Sequence, residues 1–269
     1  VTNSTIKTTG TYEVREKYYE ALWSSGNEVP AAALTVGNYA VGAANAYLAD
    51  AIVTLENTKL IGENNFPALY VDGNTSHIGK VSISGDAASV SGTMMKGQQT
   101  AEGKVIIFVT GGTFSSDPSA YVAEGYFSLP NENSTYTVVT ADQITSGVTI
   151  QGIAGYEHRA FATVEDAFTT VKTDLEARCG LVEQPMDEAQ FNAFFTDGGK
   201  ITWTIYGEQA VTDNRTFSFG RAANRFGEGR HITEINIIGG NDTAALNLSA
   251  VNGTFALPYN WWNVEDSAN

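Results

Sequence analysis

The chain has 269 residues and a formal net charge of −15. Only 17% of its residues are charged, against about 25% in ordinary globular domains, while 42% are hydrophobic. The apolar fraction excludes whole-chain disorder. The negative charge argues against partners reached by phosphate neutralisation, so neither nucleic acid nor an anionic membrane surface is expected. No apolar run approaches the roughly 18 residues of a membrane span, so no membrane insertion is expected. The opening Val1-Thr2-Asn3-Ser4 has neither a basic nor an apolar leader region and is not expected to be a signal peptide.

Thirty Thr, 27 Gly and 20 Asn describe many short strands joined by many turns, because Thr fits pleated strands and Gly and Asn accept tight corners. Residues 1–155 read in that way. Val1 to Thr9 alternates apolar and polar positions, and Ala33 to Asn38 is a strand ending in a turn. Ile52 to Leu60 alternates for nine residues, and Ala68 to Asn74 again ends in a turn. Val81 to Asp86, Ala88 to Gly92 and Val105 to Phe114 follow. Alternation with period two predicts strands with one buried face. The turns at Gly37-Asn38, Asp72-Gly73-Asn74 and Gly85-Asp86 are poor two-residue hairpins, because the next strand does not begin at once. Repeated strand–turn–strand units of variable length suit a coiled array better than an immunoglobulin-like sandwich.

The period changes at Thr163. Thr163-Val164-Glu165-Asp166 has the form of a capping box, and Val164, Phe168, Val171 and Leu175 step along one helix face. Gly180 is a natural stop for that helix. A second helix is predicted from Met186 to Phe195, opened by Pro185 and closed by Asp197-Gly198-Gly199. Strands resume at Lys200–Tyr206, Thr216–Phe219, Ile232–Ile238, Ala245–Ala250 and Thr254–Leu257. The expected fold class is all-β: a right-handed parallel β-helix, or solenoid, with a short helical cap or insert. Its expected parts are coils over 1–155, the helical cap or insert over 156–199 and further coils over 200–269.

The segment Gly111-Gly112-Thr113-Phe114-Ser115-Ser116-Asp117-Pro118-Ser119-Ala120-Tyr121-Val122-Ala123-Glu124-Gly125-Tyr126 resembles one that recurs in large exported surface proteins of gut-dwelling Gram-positive bacteria. Ala33–Asn38, Val53–Thr58 and Ala68–Asn74 look similar to the run that precedes it there, and Gly199–Trp203 and Ile235–Asn241 look like further coils. The resemblance covers about two thirds of the chain. It implies a right-handed parallel β-helix of the pectate-lyase-like superfamily and an extracellular or cell-wall-associated location. It carries no catalytic motif.

Chemistry is sparse. A polysaccharide hydrolase needs carboxylates converging on one cleft, and the 30 Asp and Glu are scattered, with no Asp-Asp pair. Glu63, Asp72, Asp86 and Glu102 sit at or near turns, where Asp is a turn former. One cysteine, Cys179, excludes an internal disulfide framework, and with His77, His158 and His231 it makes a poor zinc set. Cys179 falls beside the apolar stripe and reads as structural. Gly239-Gly240-Asn241-Asp242 is a single approximation to a calcium repeat that needs strict periodicity. No catalytic residue, metal site or cofactor is expected.

Two groups remain as candidate ligand-binding residues. Arg215, Arg221, Arg225 and Arg230 crowd one stretch of an acidic chain, next to Phe217, Phe219 and Phe226. They suit an acidic ligand, against which stands the favoured reading of ion pairs that protect strand edges. Trp261 and Trp262, with Trp203, Tyr206 and Tyr259, suit sugar stacking or the plugging of a core. The expected function is a non-catalytic cell-surface or secreted module, structural or adhesive, meeting a host surface protein or a polysaccharide. The alternative is a polysaccharide-active lyase or hydrolase of the same superfamily.

Overall fold

A computed structural model describes residues 1–9, 32–37, 49–73, 77–97, 103–179, 184–212, 225–227 and 229–248. The chain divides into two compact units, Val1–Val139 and Thr140–Asn269.

Strands of the first unit are short because turn residues interrupt each apolar alternation. They are β1 (Thr5–Lys7), β2 (Leu34–Val36), β3 (Ala51–Glu56), β4 (Lys59–Ile61), β5 (Leu69–Val71), β6 (Gly79–Ser84), β7 (Ser89–Ser91), β8 (Met94–Lys96), β9 (Val105–Val109), β10 (Thr113–Phe114), β11 (Tyr126–Pro130) and β12 (Tyr136–Thr140). Up to β10, each strand pairs in parallel with the strand three places along: β1-β4-β7-β10, β2-β5-β8 and β3-β6-β9. In-register pairing lines identical faces up. Val53, Val81 and Ile107 form one row, Leu55, Ile83 and Val109 a second, and Ile6, Leu60, Val90 and Phe114 a third. The alternation of burial along β6 shows why: Gly79, Val81 and Ile83 face in, and Lys80, Ser82 and Ser84 face outwards. Among the described residues the core is almost wholly aliphatic, Phe114 being its one fully buried ring.

The corners rest on specific chemistry. The nine-residue alternation Ile52–Leu60 is broken at Asn57, whose φ of 49° turns the chain between β3 and β4. Its Oδ1 then accepts a hydrogen bond from Ala87 N at 3.2 Å, one turn of chain away. Gly85 stands beside it with φ +90°, and a Cβ there would strike the Asn57 carboxamide. Glycine is required at that place by both conformation and space.

The regular order stops after β10. The pair β10/β12 is antiparallel, with Thr113 opposite Thr137, and β11 forms the sheet edge beyond β12. Between them the segment Asp117–Tyr126 folds back on the core. Asp117 Oδ1 accepts from Ser119 N and from the buried Ser128 hydroxyl, at 3.0 and 2.7 Å, and Ala123 N donates to Val109 O.

The second unit holds β13 (Gly147–Gln151), β14 (Ala160–Phe161), β15 (Lys200–Tyr206), β16 (Glu208–Val211), β17 (Glu234–Gly239) and β18 (Ala245–Leu248), with helices α1 (Val164–Arg178) and α2 (Glu188–Phe194). Its main sheet has the order β14-β13-β15-β17. β13 runs antiparallel to both β14 and β15, and β17 runs parallel to β15. β16 and β18 form a separate parallel pair. Both helices are capped as their sequences dictate. The Thr163 hydroxyl accepts from Asp166 N at 3.0 Å, and Asp187 and Gln190 exchange side-chain and backbone hydrogen bonds around the start of α2. Asp187 rather than Pro185 opens that helix, since its carboxylate satisfies an otherwise orphaned N–H. The apolar stripe of α1 lies on the sheet, burying Val164, Phe168, Val171 and Leu175 among Val148, Ile150, Trp203, Phe191, Phe194, Phe195 and Phe226.

These findings correct the expected all-β right-handed parallel β-helix. The described strands make five small sheets, mixed and parallel, and no continuous solenoid runs through them. The helices are not a cap or insert between coils; their buried faces build the core of a mixed sheet. The physical reason is direction. Period two reports which face of a strand is buried, and says nothing of which way its neighbour runs. The chain from Gln151 returns through β14, α1 and α2 before β15, and it re-enters the sheet beside β13 in the opposite sense.

A candidate ligand groove on the first helix

The polar side of α1 is as periodic as its apolar side. Thr169, Thr173 and Ala177 lie four residues apart and form one stripe; Thr170, Asp174 and Arg178 form the adjacent one. Residues at i and i+4 stand one above the other on a helix, so the two stripes make a wall of hydroxyls ending in a charged pair. The facing wall is the loop that leaves β13. There Gly155, with φ +88°, turns the chain, and its N–H is held by Glu157 Oε2 at 2.8 Å. Tyr156 is then tucked in, 4% exposed, with its ring stacked on Phe161 at 6.0 Å. Arg159 lays its guanidinium 4.7 Å from the Phe161 ring centroid. Between the walls runs an open groove of about 560 Å³ lined by Gly155, Tyr156, Arg159, the three threonines, Asp174, Ala177 and Arg178.

Asp174 is committed within the groove. Its Oδ1 accepts from Arg178 Nε at 2.9 Å and its Oδ2 from the Tyr156 hydroxyl at 3.3 Å. The Arg178 guanidinium also lies 5.2 Å from the Phe194 ring centroid. The Tyr156 phenol is pushed up to about 12, by burial first and then by the charge and hydrogen bond of Asp174, against the opposing charges of Arg159 and Arg178. It stays a neutral donor throughout the physiological range. Cys179, the C-cap of α1, is pushed up to about 11, chiefly by burial. The thiol is then protonated at neutral pH, and it packs against the core of the second unit.

Of the predicted binding residues, Arg215, Arg221, Trp261 and Trp262 lie outside the described residues, as do Phe217, Phe219 and Tyr259. Arg230 donates from Nε to Phe226 O and from Nη2 to Met186 O, both at 2.7 Å. Those bonds tie its own turn to the segment that opens α2. Arg225 is half-buried, with its carbonyl accepting from Met186 N at 2.7 Å. Trp203 is fully buried and Tyr206 nearly so, which makes them core residues and not sugar platforms. Asn241 spends its carboxamide on the backbone, accepting from Gly207 N at 3.0 Å and donating to Ile144 O at 3.2 Å. No cluster of three or more His, Cys, Asp or Glu able to hold a metal occurs among the described residues.

Sequence reasoning followed the apolar stripe of α1 and passed over its reverse side. The signal was present as Thr169-Thr170, Thr173-Asp174 and Ala177-Arg178, three adjacent pairs at a four-residue spacing. What it lacked was the second wall, since nothing in Gly155-Tyr156-Glu157-His158-Arg159 announces that it will face a helix. No helix of the described residues is long and apolar enough to cross a membrane. Comparison of this chain with protein-family models, with curated proteins and with solved structures finds no match.

Proposed function

We propose that the chain is a non-catalytic module of an extracellular or wall-associated protein, structural or adhesive in role, and that the groove on α1 is where it meets a glycan or a host surface. The observation that carries this reading is the Arg178–Asp174–Tyr156 arrangement. A hydrolytic cleft needs one carboxyl to give a proton and a second to attack or activate water. The groove is lined by a single carboxylate, Asp174, and both of its oxygens are already held, one by the Arg178 Nε–H and the other by the Tyr156 hydroxyl. Such a device orients donors and does no proton transfer. Thr169 and Thr173 add hydroxyls that donate and accept, and Thr170, whose hydroxyl donates to Asp166 O at 2.8 Å, adds an acceptor, which is the chemistry a polyhydroxylated ligand asks of a protein surface. The acidic chain, poor in lysine and arginine, and the resemblance of residues 111–126 to exported surface proteins support the location.

The test is an array of glycans and host surface proteins probed with the wild-type chain and with Thr173→Trp. Thr173 is exposed, so the indole fills the groove without entering the core. The reading expects signals that vanish in the variant while its melting temperature holds. Signals unaffected by the substitution, or release of reducing ends from a polysaccharide by the wild type, would overturn it.

A further inference from the structure

The groove carries a charge preference of its own. The whole chain stands at −15, yet the charged residues lining this groove are Arg159, Arg178 and Asp174, with Glu157 beside them on the Gly155 N–H, a near set that is balanced and not acidic. Salt screens charges beyond about 10 Å, so a ligand in the groove responds to this near set, and above all to the arginine it touches, and little to the distant carboxylates. Arg178 is also set up as a fork. Its Nε is taken by Asp174 and its Cζ stands 5.2 Å from the Phe194 ring centroid, while its terminal Nη1 and Nη2 have no protein partner among the described residues. A guanidinium held at Nε and open at its outer edge suits a carboxylate accepting two parallel hydrogen bonds. Asp174 behind it neutralises part of the charge and holds the fork in place.

We infer that the groove selects an acidic saccharide, a sugar bearing a carboxylate, with Arg178 taking the carboxylate, Arg159 adding positive potential and Thr169 and Thr173 taking ring hydroxyls. This rests on the groove being the binding site as proposed above. An acidic peptide fits the site less well. A bound peptide needs partners for its own backbone N–H and C=O groups, and over Thr169–Asp174 the backbone groups of α1 are satisfied within the helix. The threonine hydroxyls are spaced along the helix and match a chain of hydroxyls instead.

Isothermal titration calorimetry on the full chain tests this, with a galacturonate trimer, a glucuronate-containing disaccharide and a sialylated trisaccharide, each beside its carboxyl-reduced neutral counterpart. The inference expects at least one acid to bind roughly ten- to a hundredfold more tightly than its neutral form, and which acid does so identifies the source of the carboxylate. Arg178→Gln should abolish that ratio, and Arg178→Lys should keep part of it. Equal binding of acid and neutral forms, lost in Thr173→Trp, would overturn the acid preference and leave the groove as a binding site. An acid preference that survives Arg178→Gln would overturn the assignment of Arg178. If none of the three acids binds, the inference is wrong; if the neutral forms also fail, the groove reading loses its support as well.

Discussion

The two units bury their apolar surface by different means. In the first, parallel in-register strands stack Val, Ile and Leu in rows, and aliphatic, largely β-branched side chains fill most of the space, with Phe114 at the end of one row. In the second, two helices lie on a mixed sheet, and Phe161, Phe168, Phe191, Phe194, Phe195, Phe226 and Trp203 fill the gap between layers. Phe195 makes edge contacts with both Phe194 and Phe226, at 4.8 and 5.3 Å between ring centroids. The difference shows where a ligand site has room to form. A row of identical strands leaves an outer face repeated at every step. A helix against a loop leaves a unique groove, and that is where Arg159, Asp174 and Arg178 converge.

The contrast breaks most sharply at Trp203, whose side chain is fully buried. Trp203→Ala should cost the second unit about 3–5 kcal/mol. Amide exchange should then accelerate in β13 and β15, while β6 keeps its protection. Equal loss in both units would show that they do not unfold as separate bodies.

The first unit breaks at its corners. Gly85→Ala puts a side chain at φ +90° and against the Asn57 carboxamide, which should cost about 1–3 kcal/mol. The effect should fall on β3, β4, β6 and β7, read again by amide exchange. An unchanged melting temperature would show that the corner yields freely and is not what spaces the rows.

A smaller effect comes from Tyr156, through pH. Its phenol is raised to about 12 in the folded chain, while an unfolded tyrosine ionises near 10. The unfolded state therefore releases its proton first, and this contribution to stability is present below about pH 10 and is lost as pH climbs towards 12. Subtracting the alkaline titration of Tyr156→Phe from that of the wild type should isolate one phenol near 12, and Asp174→Asn should bring it down. A difference curve centred near 10 would contradict the Tyr156–Asp174 contact.

The smallest belongs to Asp72 in the first unit. Its carboxyl is raised by burial, against the opposing hydrogen bonds from Gly73 N and the Tyr70 side chain. A raised acid favours its protonated form in the folded state, so this stability is present below the usual carboxylate value and is lost as pH rises through the folded one. Asp72→Asn should raise the melting temperature slightly at pH 7 and leave it unchanged at pH 3. A fall at pH 7 would mean that the two hydrogen bonds outweigh the burial.

Much of this was legible in the chain. Val81-Ser82-Ile83-Ser84 alternates, and β6 buries the residues its pattern assigns to one face. Thr163 and Asp166 spell the start of α1, and the hydroxyl sits where the capping rule puts it. Direction was not legible: Val148-Thr149-Ile150 reads the same whether its neighbour runs with it or against it, and the antiparallel pairing with β15 follows from the path taken in between. Nor was the role of Gln209 legible. It is buried on β16, where its Oε1 accepts from Val164 N at 3.2 Å and its Nε2 donates to the Ser146 hydroxyl at 3.3 Å. A lone glutamine in a strand pattern gives no hint that it anchors a helix 45 residues earlier. The groove falls between these cases, with one wall written as a four-residue period and the other created only by folding.

The most direct test of the groove as the binding site is a map of amide chemical shifts in the second unit, with the three acidic sugars and their neutral forms added in turn. The account predicts that the largest changes gather at Gly155, Tyr156, Arg159 and the amides of Thr169 to Arg178. Changes confined to Arg215–Arg230 or to Trp261 and Trp262, with α1 unmoved, would contradict it.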